Sequence, residues 1–591
     1  MKPRTLALFA GFTLTGVLLA GCATTVAAGT DSSASSSSGS TETAVEAVDT
    51  TLDSTAQQII AANATLVDTT DADAYDTTDA TTITLDGDTA TAEGDGVTVD
   101  GSTVTITAGG TYVLNGSLSD GQVVVDSGDT GTVYLVLDGV SIASSTTSAI
   151  SVTAAEKAVV VLADGSTNTL SDTASYATDA ESNAALYSAA DLVITGDGAL
   201  DVTGNGNDGI AGKDDLVILS GAITVNAVDD GIRGKDALVI SGGDISVTSG
   251  GDGLKADNDE DATKGWIGIS GGTVAVDAAG DGAQATSDVV ITGGSIEVTA
   301  GGGSGGTVAD DSSAKGLKAG VIVDVEGGTV TVDAADDAVH SDTWVHATGG
   351  TLSLASGDDG VHADTALLLD GASVDVTESY EAIESADIRI SAGDVDVTSS
   401  DDGLNASAGS TTESSESAGG MGGGGGGSMG DDGSVITISG GTVTIGAEGD
   451  GLDSNGSASI TGGTVTVNGP TGSGNGALDV NGTLDVSGGT LVAAGSSGMV
   501  VSPSSDSAQG WISATLDSSV SAGTEVTVTA ADGTVITSFT AAKTFQNVVV
   551  SDAAIASGSS YTVTAGTASV TVTAGEASAG TGMSGGPQGG R

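Results

Sequence analysis

The sequence predicts an all-β chain folded as a right-handed parallel β-helix, a solenoid of about 22-residue coils with a small C-terminal β cap. Three observations lead there. A block of the form apolar-x-apolar-polar-Gly-Gly-polar-apolar-polar-apolar recurs, as in Val289 to Val298 and Ile436 to Ile445. Each block reads as two short strands of period two, broken by a Gly pair where the backbone turns tightly. An Asp-Gly-apolar element then follows, and Asp208, Asp230 and Asp252 succeed one another at 22-residue intervals, as do Asp337 and Asp359. No helical periodicity intervenes. A propeller needs blades of about 40 residues with four antiparallel strands, which this spacing does not supply.

Stacked coils put equivalent residues about 4.8 Å apart, so scattered positions become ladders. Ile232, Leu254, Val339, Val361 and Leu404 are expected to point inward as one apolar column. Composition agrees with a narrow interior. Of 591 residues, 95 are Gly, aromatic residues make 2%, and hydrophobic residues, visibly dominated by Ala and Val, make 38%. Lys plus Arg number 13 against 79 Asp plus Glu, a net charge of −66. That balance argues against nucleic acid as a partner, because phosphate binding needs a basic surface.

In chain order, residues 1–21 read as a signal peptide: Lys2 and Arg4, an apolar run from Leu6 to Leu19, then Leu19-Ala20-Gly21-Cys22. The pattern resembles a bacterial lipoprotein signal, in which Cys22, the only cysteine, receives a diacylglyceryl group. The expectation is an extracytoplasmic monomer, lipid-anchored in the cell membrane and exposed at the surface, touching the membrane only through its anchor. Residues 22–80, rich in Ser, Thr and Ala, read as a tether. Residues 81–185 supply the opening coils and N-terminal cap, and 186–501 the regular solenoid. A Gly-rich insertion over 409–433 reads as a mobile surface loop. Residues 502–574 form a C-terminal β-sheet cap, and 575–591 a disordered tail.

These blocks carry a resemblance. Asp230-Gly231-Ile232-Arg233-Gly234-Lys235, Asp257 to Ala262 and Lys315-Gly316-Leu317-Lys318-Ala319-Gly320 resemble the secreted bacterial carbohydrate-binding-domain family. So do Asp358 to Asp364 and Tyr380-Glu381-Ala382-Ile383-Glu384, and the likeness spans roughly 81 to 570. The resemblance implies a polysaccharide-lyase-like β-helix that carries calcium and binds plant-type polysaccharides, acidic ones included, without established catalysis. The chain departs from it in the Gly-rich insertion and in its long acidic, small-residue composition.

The residue after each Asp-Gly-apolar element defines an outward column: Arg233, Lys255, Gln284, Lys318, His340, His362, Glu384, Asn405, Asp453. Seven of the 13 basic residues lie between Lys213 and Lys318. One reading is a groove whose side chains track the hydroxyls and carboxylates of an extended glycan. The other is that these cations neutralise neighbouring Asp and keep the face soluble. Trp344 and Tyr380 fall near the column and are the stacking candidates, or else fill coil corners.

The Asp residues form ladders of their own, at Asp230 and Asp252, then at Asp337 and Asp359 with Asp342 and Asp364 five residues later. Adjacent carboxylates repel by roughly 1 kcal/mol in water and about 3 kcal/mol at an effective dielectric near 20. Lys235 and Lys255 can neutralise the first pair. Around Asp337 to Asp364 there is no Lys or Arg, so a hard cation is expected, and oxygen ligands favour Ca²⁺. The alternative is Asp capping local backbone amides. Asp257 and Asp259, in an acidic loop, make a second calcium candidate.

The resulting expectation is non-catalytic polysaccharide binding. A calcium-dependent lyase, with Arg389, Lys318 or Lys255 as the base, and a passive adhesin or spacer are the alternatives. Ice binding by Thr-x-Thr pairs such as Thr442/Thr444 fails because Glu297 and Asp375 break that face.

Overall fold

The computed structural model describes residues 50–128, 131–309, 312–408 and 431–578. The signal segment, Cys22, the start of the tether, most of the Gly-rich insertion and the end of the tail lie outside the described residues. Among the described residues no helix is long and apolar enough to cross a membrane.

The architecture is a β-helix-like solenoid of parallel strands. One coil runs through a three-residue strand (Ile232–Gly234), a four-residue strand (Ala237–Ile240) and a six-residue strand (Asp244–Ser249), and the next begins at Leu254. Register is parallel from coil to coil: Ile232 pairs with Leu254 and Val339 with Val361. The three-residue strands, preceded by six of four or five residues, stack into a 16-stranded sheet, and the other two faces join in a 30-stranded one. The six-residue strands alternate exposed and buried side chains, as period two requires when one face lines a core. The predicted inward column is fully buried within the one long hydrophobic cluster.

Why the Gly pair marks the corner is clear at Gly293–Gly294. Gly294 has φ +94°, and a Cβ on Gly293 would sit 2.7 Å from the Ser270 carbonyl oxygen of the coil before. Only glycine tolerates both conditions. Where the pair is lost, at Gly371-Ala372 and Ala392-Gly393, the two strands fuse into single 13-residue strands, Ala366–Glu378 and Asp387–Ser399.

One difference from the sequence reading is large. Residues 50–80, read as tether, lie along the four-residue strands as a strap. A helix, Ala56–Ala62, opens with a capping box between Thr55 and Gln58 and buries Ile59 against Val290 and Ile322. Glu326 accepts from the Ala56 amide at 2.8 Å, Asn63 donates to Asp288 at 2.8 Å, and the Val67 amide donates to Asp215 at 2.8 Å. Ala72 packs against Val136, Val159 and Val193. Covered on both faces, the strands Trp266–Ile269, Asp288–Ile291 and Ile322–Val325 are buried throughout. That explains runs such as Val289-Val290-Ile291, which do not alternate.

At the far end Thr490–Gly495 pairs antiparallel with Phe545–Ser551, closing the last coil. Glu525–Ala530, Val535–Thr540, Ser560–Ala565 and Ala568–Thr573 form a four-stranded sheet, with a core of their own around Val526, Phe545 and Val563.

Candidate functional site

Each three-residue strand buries its first and third side chains and leaves the middle one half-exposed or nearly buried. Parallel register then stacks those middle residues one per coil. Arg233 neighbours Lys255, followed by Gln284, Lys318, His340, His362, Glu384, Asn405 and Asp453. The ladder continues to Asp479.

A second ladder runs three residues upstream, through Asp230, Asp252, Asp281, Lys315, Asp337, Asp359, Glu381, Asp402 and Asp450. Its carboxylates divide their oxygens. Oδ1 accepts the backbone N–H of the next coil's equivalent residue: Asp252 to Asp230 at 2.9 Å, Asp281 to Asp252 at 2.8 Å, Asp359 to Asp337 at 3.0 Å. Oδ2 meets a cation of the outward ladder. Lys255 lies 3.0 Å from Asp230 and 2.8 Å from Asp252, and Lys318 lies 3.3 Å from Asp281. Arg233 grips Asp257 with Nε at 3.0 Å and Nη2 at 2.6 Å. Arg233, Lys255, Lys264, Lys315 and Lys318 of the basic cluster are therefore spent on neighbouring carboxylates.

The calcium expectation changes accordingly. Asp337 is not without a lysine: Lys315, from the preceding coil, sits 2.6 Å from its Oδ2 and 3.0 Å from Asp336. Sequence distance hid this, since the lysine occupies an Asp position of the ladder one coil earlier. His340 Nδ1 lies 2.9 Å from Asp337, and His362 Nδ1 lies 2.8 Å from Asp359. Asp342 and Asp364 meet the Nε2 atoms of the same histidines at 3.1 Å. Of the predicted calcium ligands only Asp259 is both exposed and outside these pairs.

Trp344 is misplaced by the sequence reading. It stands on the strap-covered face, in register with Ile322 and Ala366, and packs against Ile59 and Val290. Tyr380 is 48% exposed and lines a shallow cleft of about 600 Å³ with Asp336, Asp358 and Ala335. The Asp401 carboxylate beside its hydroxyl pushes the Tyr380 pKa up to about 12.

Beyond Glu384 the outward ladder runs out of cations. Carboxylate oxygens of Asp402, Asp450 and Asp453 lie within 4.8 Å of one another, and among the described residues no ion pair reaches them. Burial, reinforced by neighbouring carboxylates, pushes Asp453 up to about 8, Glu381 up to about 7 and Asp450 up to about 6. Asn405 donates to Glu381 at 2.6 Å, and its own buried Oδ1 has no hydrogen-bond partner among the described residues. Asp281, Lys315, Asp402 and Asp450 are site residues that sequence reasoning left out of its candidate sets. The signal was their place in the Asp-Gly-apolar frame.

Residues 100–360 match the family model described as carbohydrate-binding domain-containing protein. A protein of that description from Acetivibrio thermocellus is 42% identical over 125 residues, covering 20% of this chain and 44% of the relative. The chain thus spans less than half of that relative's length. A solved structure, the gadolinium derivative of the polysaccharide lyase-like protein from C. thermocellum, is 38% identical. It covers 38% of this chain and 92% of its own, with a TM-score of 0.37. Residues 100–360, less than half of the chain, are thus similar to the carbohydrate-binding domain-containing protein family.

Proposed function

We propose that the protein binds polysaccharide without cleaving it, along the polar ladder of the short-stranded sheet, with acidic or plant-type glycans as ligands and calcium assisting. The observation that carries this reading is the family match over a surface presenting one polar side chain per coil, about 4.8 Å apart. Exposed Tyr380 beside that surface offers a face for a sugar ring. Right-handed 22-residue coils belong to the same reading, since parallel crossovers take that hand almost without exception. So does a lipid anchor at Cys22 that holds the solenoid at the cell surface.

The lyase alternative needs a base able to shed its proton. Each nominee is held by carboxylates: Lys255 by Asp230 and Asp252, Lys318 by Asp281, Arg389 by Asp387 at 2.6 Å. Although burial opposes its charge, those partners raise the Lys255 pKa above its ordinary value. That supports binding over cleavage.

A hard cation fits one part of the ladder best. Asp402, Asp450 and Asp453 offer oxygen ligands without a competing ammonium, and the orphaned Oδ1 of Asn405 belongs to the neighbouring coil position. Those residues would hold Ca²⁺, which would neutralise the carboxylates and let a uronate approach a chain of charge −66. A glycan array read with and without chelator tests the proposal. Retention of polysaccharide, strongest with calcium, is expected. No retained glycan in either condition defeats the binding reading, and release of unsaturated oligosaccharides transfers the case to the lyase.

A further inference from the structure

The ladder contains one place where nitrogen and oxygen ligands converge. The segments Asp337-Ala338-Val339-His340-Ser341-Asp342 and Asp359-Gly360-Val361-His362-Ala363-Asp364 repeat the pattern Asp-x-Val-His-x-Asp in consecutive coils. Register stacks the two imidazoles, their centroids 5.0 Å apart and their planes 17° from parallel. Each Nδ1 turns toward the buried carboxylate three residues upstream, His340 to Asp337 and His362 to Asp359. Ligand atoms of Asp337, His340 and His362 lie within 4.8 Å of one another, as do those of Asp359, His362 and Glu384, so His362 belongs to both sets. The neighbouring separations are 2.9 Å for His340–Asp337, 2.8 Å for His362–Asp359 and 3.2 Å for His362–Glu384. Ligand atoms about 2.0–2.1 Å from a tetrahedral zinc ion stand roughly 3.3 Å apart, so these groups need move little to share one.

The outer atoms supply the second argument. Each Nε2 meets a carboxylate, Asp342 or Asp364, at 3.1 Å. A metal-binding histidine commonly donates its other ring N–H to a carboxylate, which fixes the tautomer and raises the basicity of the metal-facing nitrogen. Here that arrangement is built twice, in consecutive coils, and it leaves both Nδ1 atoms to the interior cluster.

We infer that His340 and His362, with Asp337, Asp359 and Glu384, form a binding site for a divalent transition metal of the zinc class. The site is separate from the all-oxygen cluster of Asp402, Asp450 and Asp453, because imidazole nitrogen selects Zn²⁺ and its neighbours over Ca²⁺. Without metal, protons occupy the space between Nδ1 and carboxylate, and the Lys315 ammonium completes the neutralisation of Asp337. Binding releases each displaced Nδ1 proton to solvent while Nε2–H stays on its outer carboxylate. The inference stands on the histidine geometry and does not depend on glycan binding.

The test is a calorimetric titration of the full chain with zinc chloride near neutral pH, in millimolar calcium, run in two buffers of different ionisation enthalpy. One zinc ion should bind despite the calcium, with proton release. The double variant His340→Asn/His362→Asn should lose about tenfold or more in affinity. Glu384→Gln, at a half-exposed position, should weaken binding several-fold with the circular dichroism spectrum unchanged, which keeps the test open should the double variant misfold. Asp453→Asn should leave zinc affinity as it was. Zinc affinity unchanged in the His and Glu384 variants, or zinc displaced by calcium, overturns the inference.

Discussion

Two stretches of one ladder share a backbone and differ in their counter-ions. From Asp230 to Asp359 every carboxylate of the ladder meets a cation: Lys255, Lys318, Lys315, His340 or His362 lies within 3.3 Å of it. From Asp402 to Asp453 the carboxylates Asp402, Asp450 and Asp453 have none among the described residues. Backbone capping by Oδ1 persists in both, as in Asp450 to Asp402 and Gly476 to Asp450, each at 2.5 Å. The solenoid therefore fixes where charges stand, while the outward residue decides whether compensation comes from within the chain or from outside. The first stretch is self-sufficient structure. The second is electrostatically unfinished, which is where a ligand ion gains most.

The contrast can be broken most sharply by mutation. Lys255→Met leaves Asp230 and Asp252 without their cation and should cost about 3 kcal/mol in urea unfolding, since removing one partner of a buried pair strands the other. Asp453→Asn should act the opposite way in chelator, stabilising by an amount on the order of 1 kcal/mol. Equal signs for the two would erase the distinction. Calcium comes next. At about a hundred times its dissociation constant, it should stabilise the native chain by about 2.7 kcal/mol. That gain should vanish in Asp402→Asn/Asp450→Asn and survive in Asp337→Asn.

The pH dependence sharpens the same comparison. Glu381, Asp450 and Asp453 have folded pKa values of about 7, 6 and 8, above those of the unfolded chain, so the folded state binds more protons between the two. Their contribution is fully present below about pH 4 and lost as pH rises toward about pH 8. In chelator, the thermal midpoint should fall across that window, and calcium should restore it at the alkaline end only. A flat profile would count against uncompensated burial. The smallest effect is expected at the cleft: Tyr380→Ala should weaken glycan binding by about 1 kcal/mol, several-fold, without moving the thermal midpoint.

Much of this was legible in the sequence because the solenoid converts spacing into contact. The 22-residue interval was enough to place Lys255 beside Arg233 and His362 beside His340. The frame also ran through Asp402 and Asp450. Their approach across 48 residues was obscured by the Gly-rich insertion, which separates coils that are adjacent in space. Lys315 was missed because an ammonium took a carboxylate's place in the ladder. The strap was missed for a different reason. Its cues, Thr55 and Gln58 around Ile59, are short-range and sit in a Ser/Thr/Ala-rich stretch that resembles a linker. Overlooking it misplaced Trp344, whose neighbours are strap residues brought back from nearly 300 positions upstream, as the 292-residue His346–Ser54 contact shows.

The most direct measurement of the central claim is the affinity of the full chain for a uronate-rich polysaccharide, with calcium and with chelator, for the native sequence and for Asp402→Asn/Asp450→Asn. Binding should be present in calcium, lost in chelator, and weak in the double variant under both conditions. Undiminished binding by the native chain in chelator, or by the double variant in calcium, would contradict the account.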